Sequence, residues 1–383
     1  MKMTESHLSG SGLALGGRLT VDLGAMARNW KALEKVSSGA LTAAVVKADA
    51  YGTGLVPASR TFFEAGARFF FTATADEGIA LRRALPEAHI FILNGLYPGA
   101  AQLYVDERLM PVLSSIPMIE EWLLLCIDRN EAFPAALHFD TGMNRLGLRL
   151  NEASIVKRQL DDLGFQPQMI MSHFACADQP QHEKNRAQLA LFQAVMQQFP
   201  GIPASMANSA GLMTGRENHF QMVRPGIALY GGRAVNGRRN PMYPAVTLEA
   251  PILQIKDVRT GESVGYGATQ TMSRDSRLAV LGIGYADGLF RSLSSSNARA
   301  GGKVAIRGRI VPIVGRVSMD LSVIDITDLG PDVPVPGEMV EIFGHTISID
   351  DQADAAGTIG YELLTAMKGR YTRRYIGGPP EGV

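Results

Sequence analysis

With 37 lysines and arginines balanced by 37 aspartates and glutamates in 383 residues, the chain offers no net field to nucleic acid or an anionic membrane surface. It is 46% hydrophobic and 19% charged, as water-soluble globular proteins are, and no apolar run reaches the roughly 18 residues that a membrane span needs. Two cysteines, Cys126 and Cys176, exclude a disulfide framework and favour a reducing, cytoplasmic setting.

The first 17 residues are polar and glycine-rich, with no apolar h-region, and read as a flexible arm and not a signal peptide. Residues 19–23 read as a short strand, and 25–36 as a helix with Met26, Trp30, Leu33 and Val36 near one face. A regular alternation follows. Strand-like apolar runs occur at 43–46, 69–73, 89–93, 110–113, 135–139, 169–173, 204–207 and 226–230. Helical spacing lies between most of them, at 57–66, 77–84, 116–127, 152–163 and 183–199. Eight strands alternating with helices predict an α/β fold, an N-terminal (β/α)8 TIM-like barrel over residues 18–244. A doubly wound open sheet is the rival, but no GxGxxG turn follows an early strand. From 245 the texture changes to short Val- and Ile-rich runs broken by Gly and Pro: 248–258, 278–283, 304–306, 310–314, 322–326 and 339–343. Helical pattern returns only at 361–367. Residues 245–383 therefore read as a mostly-β domain, against which the strand 19–23 could also pack.

Barrel enzymes place their chemistry at the C-terminal ends of the strands. The first run, Ala44-Val45-Val46, ends in Lys47, followed by Asp49, Tyr51, Gly52 and Gly54. A lysine continuing a buried strand is unusual, and desolvation would make its amine a usable nucleophile or base. A solvated lysine at a strand end is the plainer reading, favoured on this stretch alone. The same end of the barrel would carry His138 to Arg145, His173, Asn208, Ser209 and Arg224-Pro225-Gly226-Ile227. Ser209 and Gly226-Ile227 lie where barrels seat a phosphate on backbone N–H groups. A phosphate seat beside a buried lysine suggests pyridoxal phosphate held as a Schiff base. The rival is a metal hydrolase drawing on His138, Asp140, His173, Cys176 and Asp178, but these show no tight ligand spacing, so no metal is expected.

These residues resemble the bacterial alanine racemases, fold-type III pyridoxal-phosphate enzymes. The resemblance runs from about Leu19 to Tyr375. It is carried by Ala44 to Gly52, Asp140-Thr141-Gly142-Met143-Asn144-Arg145-Leu146-Gly147, His173-Phe174-Ala175, Ala207-Asn208-Ser209-Ala210 and Arg224-Pro225-Gly226-Ile227. In the second domain it is carried by Val264-Gly265-Tyr266-Gly267, Gly284-Tyr285-Ala286-Asp287-Gly288, Gly315-Arg316-Val317-Ser318-Met319-Asp320 and Gly357 to Glu362.

The resemblance implies a cytoplasmic homodimer that interconverts L- and D-alanine, for peptidoglycan or for alanine catabolism. Each site would join one subunit's barrel to the other's β domain. Lys47 would hold the cofactor and act as one base, with Tyr266 as the opposite base. Arg224, supported by His173, would meet the pyridine nitrogen. Tyr51, Asn208, Ser209, Gly226, Ile227 and Tyr361 would hold the cofactor around its phosphate. Arg145 and the Met319 N–H would meet the substrate carboxylate, with Tyr285 and Asp320 beside the substrate. A racemase of serine or broader specificity on the same scaffold is the alternative. Two departures stand out. His138 occupies the place of a lysine that is carbamylated in many members, and Asp49 and Thr53 replace an Asn and a His. A cofactor-binding protein without turnover would lack the second domain, and a barrel decarboxylase would carry a catalytic Cys there.

Overall fold

The computed structural model describes residues 16–367 and 369–378. The arm expected over residues 1–17 therefore lies outside the described residues except for Gly16 and Gly17. The chain divides into two compact units. Among the described residues one is built on 21–246, with 358–366 and 375–378; the other holds 16–20, 247–357, 367 and 369–374.

The first unit is a parallel sheet of nine segments wrapped by helices. The two segments at the ends of the strand order, Leu41–Thr42 and Ala44–Val45, are halves of one stretch. Leu41–Thr42 pairs in parallel with Met222–Val223, and Ala44–Val45 pairs in parallel with Phe69–Thr72. The sheet thus closes on itself as an eight-stranded barrel. Its other strands, His89–Ile92, Met110–Leu113, Ala136–His138, Met169–Met171 and Ala204–Ser205, follow in chain order. They are buried almost throughout, as strands covered on both faces must be.

Crossover helices run over Leu23–Ser37, Leu55–Ala65, Ala75–Ala84, Ile116–Arg129, Ala153–Asp162 and Glu183–Gln198, close to the helical spacing in the sequence. Local chemistry sets their ends. Asp22 accepts from the Ala25 N–H at 2.8 Å to start the first helix. Asn130, at φ 49°, stops the fourth. Two short helices, Ala101–Asp106 and Ser209–Thr214, are too brief to show a period in the sequence.

The eighth strand differs from expectation. It is Met222–Val223, and the apolar run at 226–230 is a 3-10 turn, Ile227–Tyr230, between Gly226 and Gly231. Every residue of that turn is buried, and a short buried apolar run has the same pattern as a strand or as a tight helix. Nor does Lys47 extend a strand: pairing ends at Val45.

The second unit is mostly β. The long strand Val246–Val258 pairs antiparallel with Met339–Phe343 along its first half and with Ser276–Leu281 along its second. Lys303–Ile306 and Arg309–Pro312 form a hairpin, and Ser322–Asp325 extends the sheet beside Ser276–Leu281. The strand Arg18–Asp22 joins this sheet between Val246–Val258 and Thr372–Ile376. Arg18 forks onto Glu249, with Nε donating to Oε2 at 2.8 Å and Nη2 to Oε1 at 2.9 Å. One helix here, Ile349–Ala356, has no counterpart in the sequence reading; its Ser348 accepts from the Asp351 N–H, a capping box in an unremarked loop. Among the described residues no helix is long and apolar enough to cross a membrane.

One glycine fixes the loop that follows Ala136–His138. Gly147 has φ 127°, and a Cβ there would lie 2.6 Å from the Asp140 nitrogen. The backbone is pinned at this point, with the Asp140 N–H donating to the Leu148 carbonyl at 2.9 Å and Leu148 to the His138 carbonyl at 2.7 Å. Gly147→Ala should cost about 2 kcal/mol or more, read as a lower urea midpoint at unchanged slope.

Candidate active site

Immediately after the first barrel strand the chain winds the wrong way. Ala48, Asp49, Ala50 and Tyr51 have φ between 51° and 56°, and Gly52 continues at 78°. Left-handed backbone costs roughly 1–2 kcal/mol for each L-residue, so such a turn persists only where its surroundings over-determine it. The Ala50 N–H donates to the Val46 carbonyl at 2.9 Å and Gly54 to Asp49 at 2.9 Å. The Asp49 carboxylate accepts from the Leu55 N–H at 2.7 Å, and the Thr53 hydroxyl donates to the Ala50 carbonyl at 2.5 Å. The Tyr51 ring stacks on Tyr230, 4.6 Å between centroids, while the Tyr230 hydroxyl donates to the Val45 carbonyl at 2.8 Å. The turn brings Lys47 and Tyr51 to the barrel mouth together.

There they line a cavity of about 620 Å³ with Arg145, His173, Asn208, Ser209, Arg224, Gly226, Ile227 and Tyr361. Nine residues picked out in the barrel region of the sequence thus share one space with Tyr361, which was picked out in the region after 245. His138, Asn94 and Glu362 also line it. Among the described residues no three His, Cys, Asp or Glu side chains gather as a metal cluster.

Electrostatics sort these groups. Burial, reinforced by the Arg145 charge, pushes the Lys47 amine below its ordinary value, and Glu77 pulls the other way. Arg224 is fully enclosed, and burial pushes it down to about 9, still charged at neutral pH. It is held by the Ser205 hydroxyl and by the Ser172 carbonyl, 2.6 Å from Nη2. Its Nε makes no hydrogen bond among the described residues. His173 is kept neutral by burial and by the nearby Arg224 and Arg145 cations. Its Nδ1 lies 3.4 Å from Arg224 Nη2 and its Nε2 3.5 Å from Asn208 Nδ2. A neutral ring accepts through only one nitrogen, so only one of these two contacts is a hydrogen bond.

Behind His173, Gln188 donates to its carbonyl at 3.0 Å and accepts from the Ala175 N–H at 2.9 Å. Its amide also reaches Thr141, whose hydroxyl meets Ser172 at 2.8 Å. Sequence reading missed Gln188, Ser172 and Ser205. They are ordinary polar residues on a helix, on a strand and just past the end of a strand, and only closure of the barrel brings them under the site.

The loop bearing Arg145 is wound on Asp140, whose carboxylate accepts from the N–H groups of Gly142, Met143 and Asn144 at 2.8, 2.8 and 2.9 Å. Arg145 itself makes no hydrogen bond or ion pair among the described residues. Ser209 accepts from the Gly226 N–H at 2.8 Å and from Ala228 at 3.3 Å. Gly226 has to be glycine here, because a Cβ would lie 2.2 Å from the Tyr51 hydroxyl. Asn208 accepts from the Gly211 N–H at 2.9 Å, as a helix cap.

The other residues expected at a site belong to the β unit. Tyr266 is 72% exposed at the tip of a turn set by Gly265 and Gly267, beside Arg316. Met319 is 54% exposed and Tyr285 41%. Their backbones are joined, with the Tyr285 N–H donating to Ser318 and the Ala286 N–H to Met319, both at 3.0 Å. Asp320 accepts from Arg370 Nη1 at 2.8 Å, and the same guanidinium meets Asp287 at 3.0 Å.

A buried amine at a barrel mouth, a small-residue seat at Ser209 and Gly226, and an arginine with a spare N–H fit a phosphorylated pyridine aldehyde. That is the layout of a pyridoxal-phosphate enzyme. The family model for alanine racemase, N-terminal domain, matches residues 21–234, and that for alanine racemase, C-terminal domain, matches 245–375. Over 373 residues the chain is 46% identical to an alanine racemase of Rhizobium meliloti (strain 1021), covering 96% of this chain and 98% of that one. A biosynthetic alanine racemase of Agrobacterium fabrum is 46% identical over 369 residues, 94% of this chain and 93% of its own length. The crystal structure of alanine racemase from Bartonella henselae with covalently bound pyridoxal phosphate matches at a TM-score of 0.89 and 36% identity, covering 94% of this chain and 99% of that chain. The chain belongs to the alanine racemase family, which are pyridoxal-phosphate-dependent isomerases.

His138 supplies a pH test of this electrostatic arrangement. Burial first, then Arg224 and Arg145, push its imidazole from 6.5 down to about 4 against the pull of Asp140. Between these values the unfolded chain binds a proton that the folded chain refuses. Stability should therefore be complete above pH 6.5 and fall as the pH drops toward 4, by about 3 kcal/mol for this one group. Between neutral pH and pH 4 the parent chain should lose about 3 kcal/mol more than His138→Asn in urea titrations, because the variant has no imidazole to protonate.

Proposed function

We propose that the chain interconverts L- and D-alanine with two proton-transferring side chains, Lys47 and Tyr266, acting on opposite faces of the substrate. The observation that carries this reading is the Lys47 amine, depressed by burial, in one cavity with Arg224 and the Ser209–Gly226 seat. Lys47 would hold pyridoxal phosphate covalently. Tyr51, Ser209, Gly226, Ile227 and Tyr361 would surround its phosphate, and Asn208 would hold the wall beside them. When bound, the cofactor supplies an electron sink that acidifies the substrate Cα–H.

The chain's own residues do the rest. Lowering the Lys47 pKa raises the neutral fraction of its amine, which is the form that takes a proton. Tyr266 would return one from the far side, which spares a single base from travelling around the substrate. Arg224 would donate its free Nε–H to the ring nitrogen. An arginine gives up no proton to a weakly basic partner, so this contact would keep that nitrogen unprotonated. Arg145, with no carboxylate of its own to pair with, would meet the substrate carboxylate, joined by the Met319 N–H. Tyr285 and Asp320 would line the approach.

Tyr266, Tyr285 and Met319 are exposed large side chains on the β unit. We assign them to the site of a second copy, which makes the working form a cytoplasmic homodimer with shared sites. The absence of paired cysteines supports the compartment.

Lys47→Ala should remove the visible cofactor band and all exchange of the alanine Cα–H with solvent deuterium. Tyr266→Phe should keep the band and slow exchange from one enantiomer by about a thousandfold. Mixing the two inactive variants tests sharing. Reassorted dimers carry one intact site in half of the molecules, so activity should recover to about a quarter of the parent. No recovery, with subunit exchange shown by mass, rules out shared sites.

A further inference from the structure

The left-handed turn after Lys47 is gripped from outside as well as from within. Tyr375 donates to the Thr53 carbonyl at 3.1 Å. Glu77 reaches it from the helix Ala75–Ala84. One Glu77 oxygen accepts from the Ala73 N–H at 2.9 Å, at the end of the neighbouring barrel strand; the other accepts from the Asp49 N–H at 3.3 Å, two residues beyond Lys47. Thr74 caps the same helix by accepting from the Glu77 N–H at 3.4 Å. The sequence Thr74-x-x-Glu77 has the spacing of a capping box, but the Glu77 carboxylate accepts from Ala73 and Asp49 and not from the Thr74 N–H, so capping accounts for neither oxygen.

We propose that Glu77 is a positioning residue that clamps the left-handed turn and sets the proton occupancy of Lys47. The remaining charged and titratable groups around the cavity are Arg145 after the strand Ala136–His138, His138 itself, His173, Arg224, Tyr361 and Glu362. On the turn itself stand Asp49 and Tyr51. Arg145 and burial drive the Lys47 amine toward its neutral form, and both histidines are held neutral. Glu77 opposes that drive. An amine that must both take and return a proton needs neither form suppressed, and the carboxylate provides the counterweight through the same bonds that fix the turn.

This proposal rests on Lys47 being the reacting amine, so its test uses neither cofactor nor alanine. In the full-length chain purified without cofactor, Lys47 is labelled with trace acetic anhydride across a pH series and its peptide quantified. Glu77→Gln keeps the shape and removes the charge, and its Lys47 midpoint should fall by ~0.5–1 pH unit. Amide exchange over residues 49–54 should quicken about tenfold in the same variant, with the barrel strands unchanged. Thr74→Ala, which removes the cap alone, should move neither. A Lys47 midpoint that stays or rises in Glu77→Gln overturns the proposal, as does an equal shift in Thr74→Ala. If the midpoint falls and alanine is still not racemised, the function is misassigned and the clamp stands.

Discussion

Closure of the barrel is the constraint from which the site follows. Leu41–Thr42 and Ala44–Val45 pair with opposite ends of the strand order, and the chain has to leave that seam at Val46. The left-handed turn at 48–52 follows at once, with Lys47 at the mouth, and the helix Leu55–Ala65 starts three residues later. Small residues suit this path: Ala48 and Ala50 have little side chain to clash in positive φ, and Gly52 and Gly54 have none. Asp49 and Tyr51 are the exceptions: the Asp49 carboxylate accepts from the Leu55 N–H, and Tyr51 stacking on Tyr230 with the Tyr230–Val45 bond ties the strained turn back to the seam.

The second constraint is a buried cation. Arg224, buried, lines the cavity with no carboxylate against it among the described residues. Burying a charge is costly unless it is hydrogen-bonded, and the Ser205 hydroxyl and the Ser172 carbonyl bond it. Ser205 lies on one strand and Ser172 just past the end of its neighbour Met169–Met171, so Arg224 is in place only when the strands are in register. Its charge then helps to hold His138 and His173 neutral. Fold and electrostatics are one problem here, since a slipped strand would remove the acceptors and the reason the histidines stay uncharged.

Periodicity made the barrel legible. Long amphipathic helices such as Glu183–Gln198 and buried runs such as Phe69–Thr72 carry their class in their pattern. The run at 226–230 misleads because four buried apolar residues look alike in a strand or a 3-10 turn, and only the Leu229-to-Gly226 hydrogen bond separates them. Lys47 and Arg224 stood out because cations beside apolar runs are rare. Gln188, Ser205 and Glu77 did not, since each is an ordinary polar residue whose meaning lies in a partner 13, 19 or 28 positions away.

The carboxylates near the mouth explain what the cavity can accept. The chain as a whole is neutral, yet the cavity collects Lys47, Arg145 and Arg224. Asp140 spends its oxygens on three loop N–H groups, Glu77 on two more, and Glu362 accepts from the Thr358 hydroxyl. Asp140 and Glu77 thus spend their hydrogen bonds on backbone and Glu362 on a hydroxyl, and among the described residues none forms an ion pair with a cation of the cavity. Had Asp140 paired with Arg145, the mouth would hold a closed ion pair and offer an incoming anion little. Among the described residues the cations thus keep donors without partners, Nε of Arg224 and the whole guanidinium of Arg145. A phosphate and an amino-acid carboxylate are both anions, and a cavity that has to take the two together needs its cations unspent.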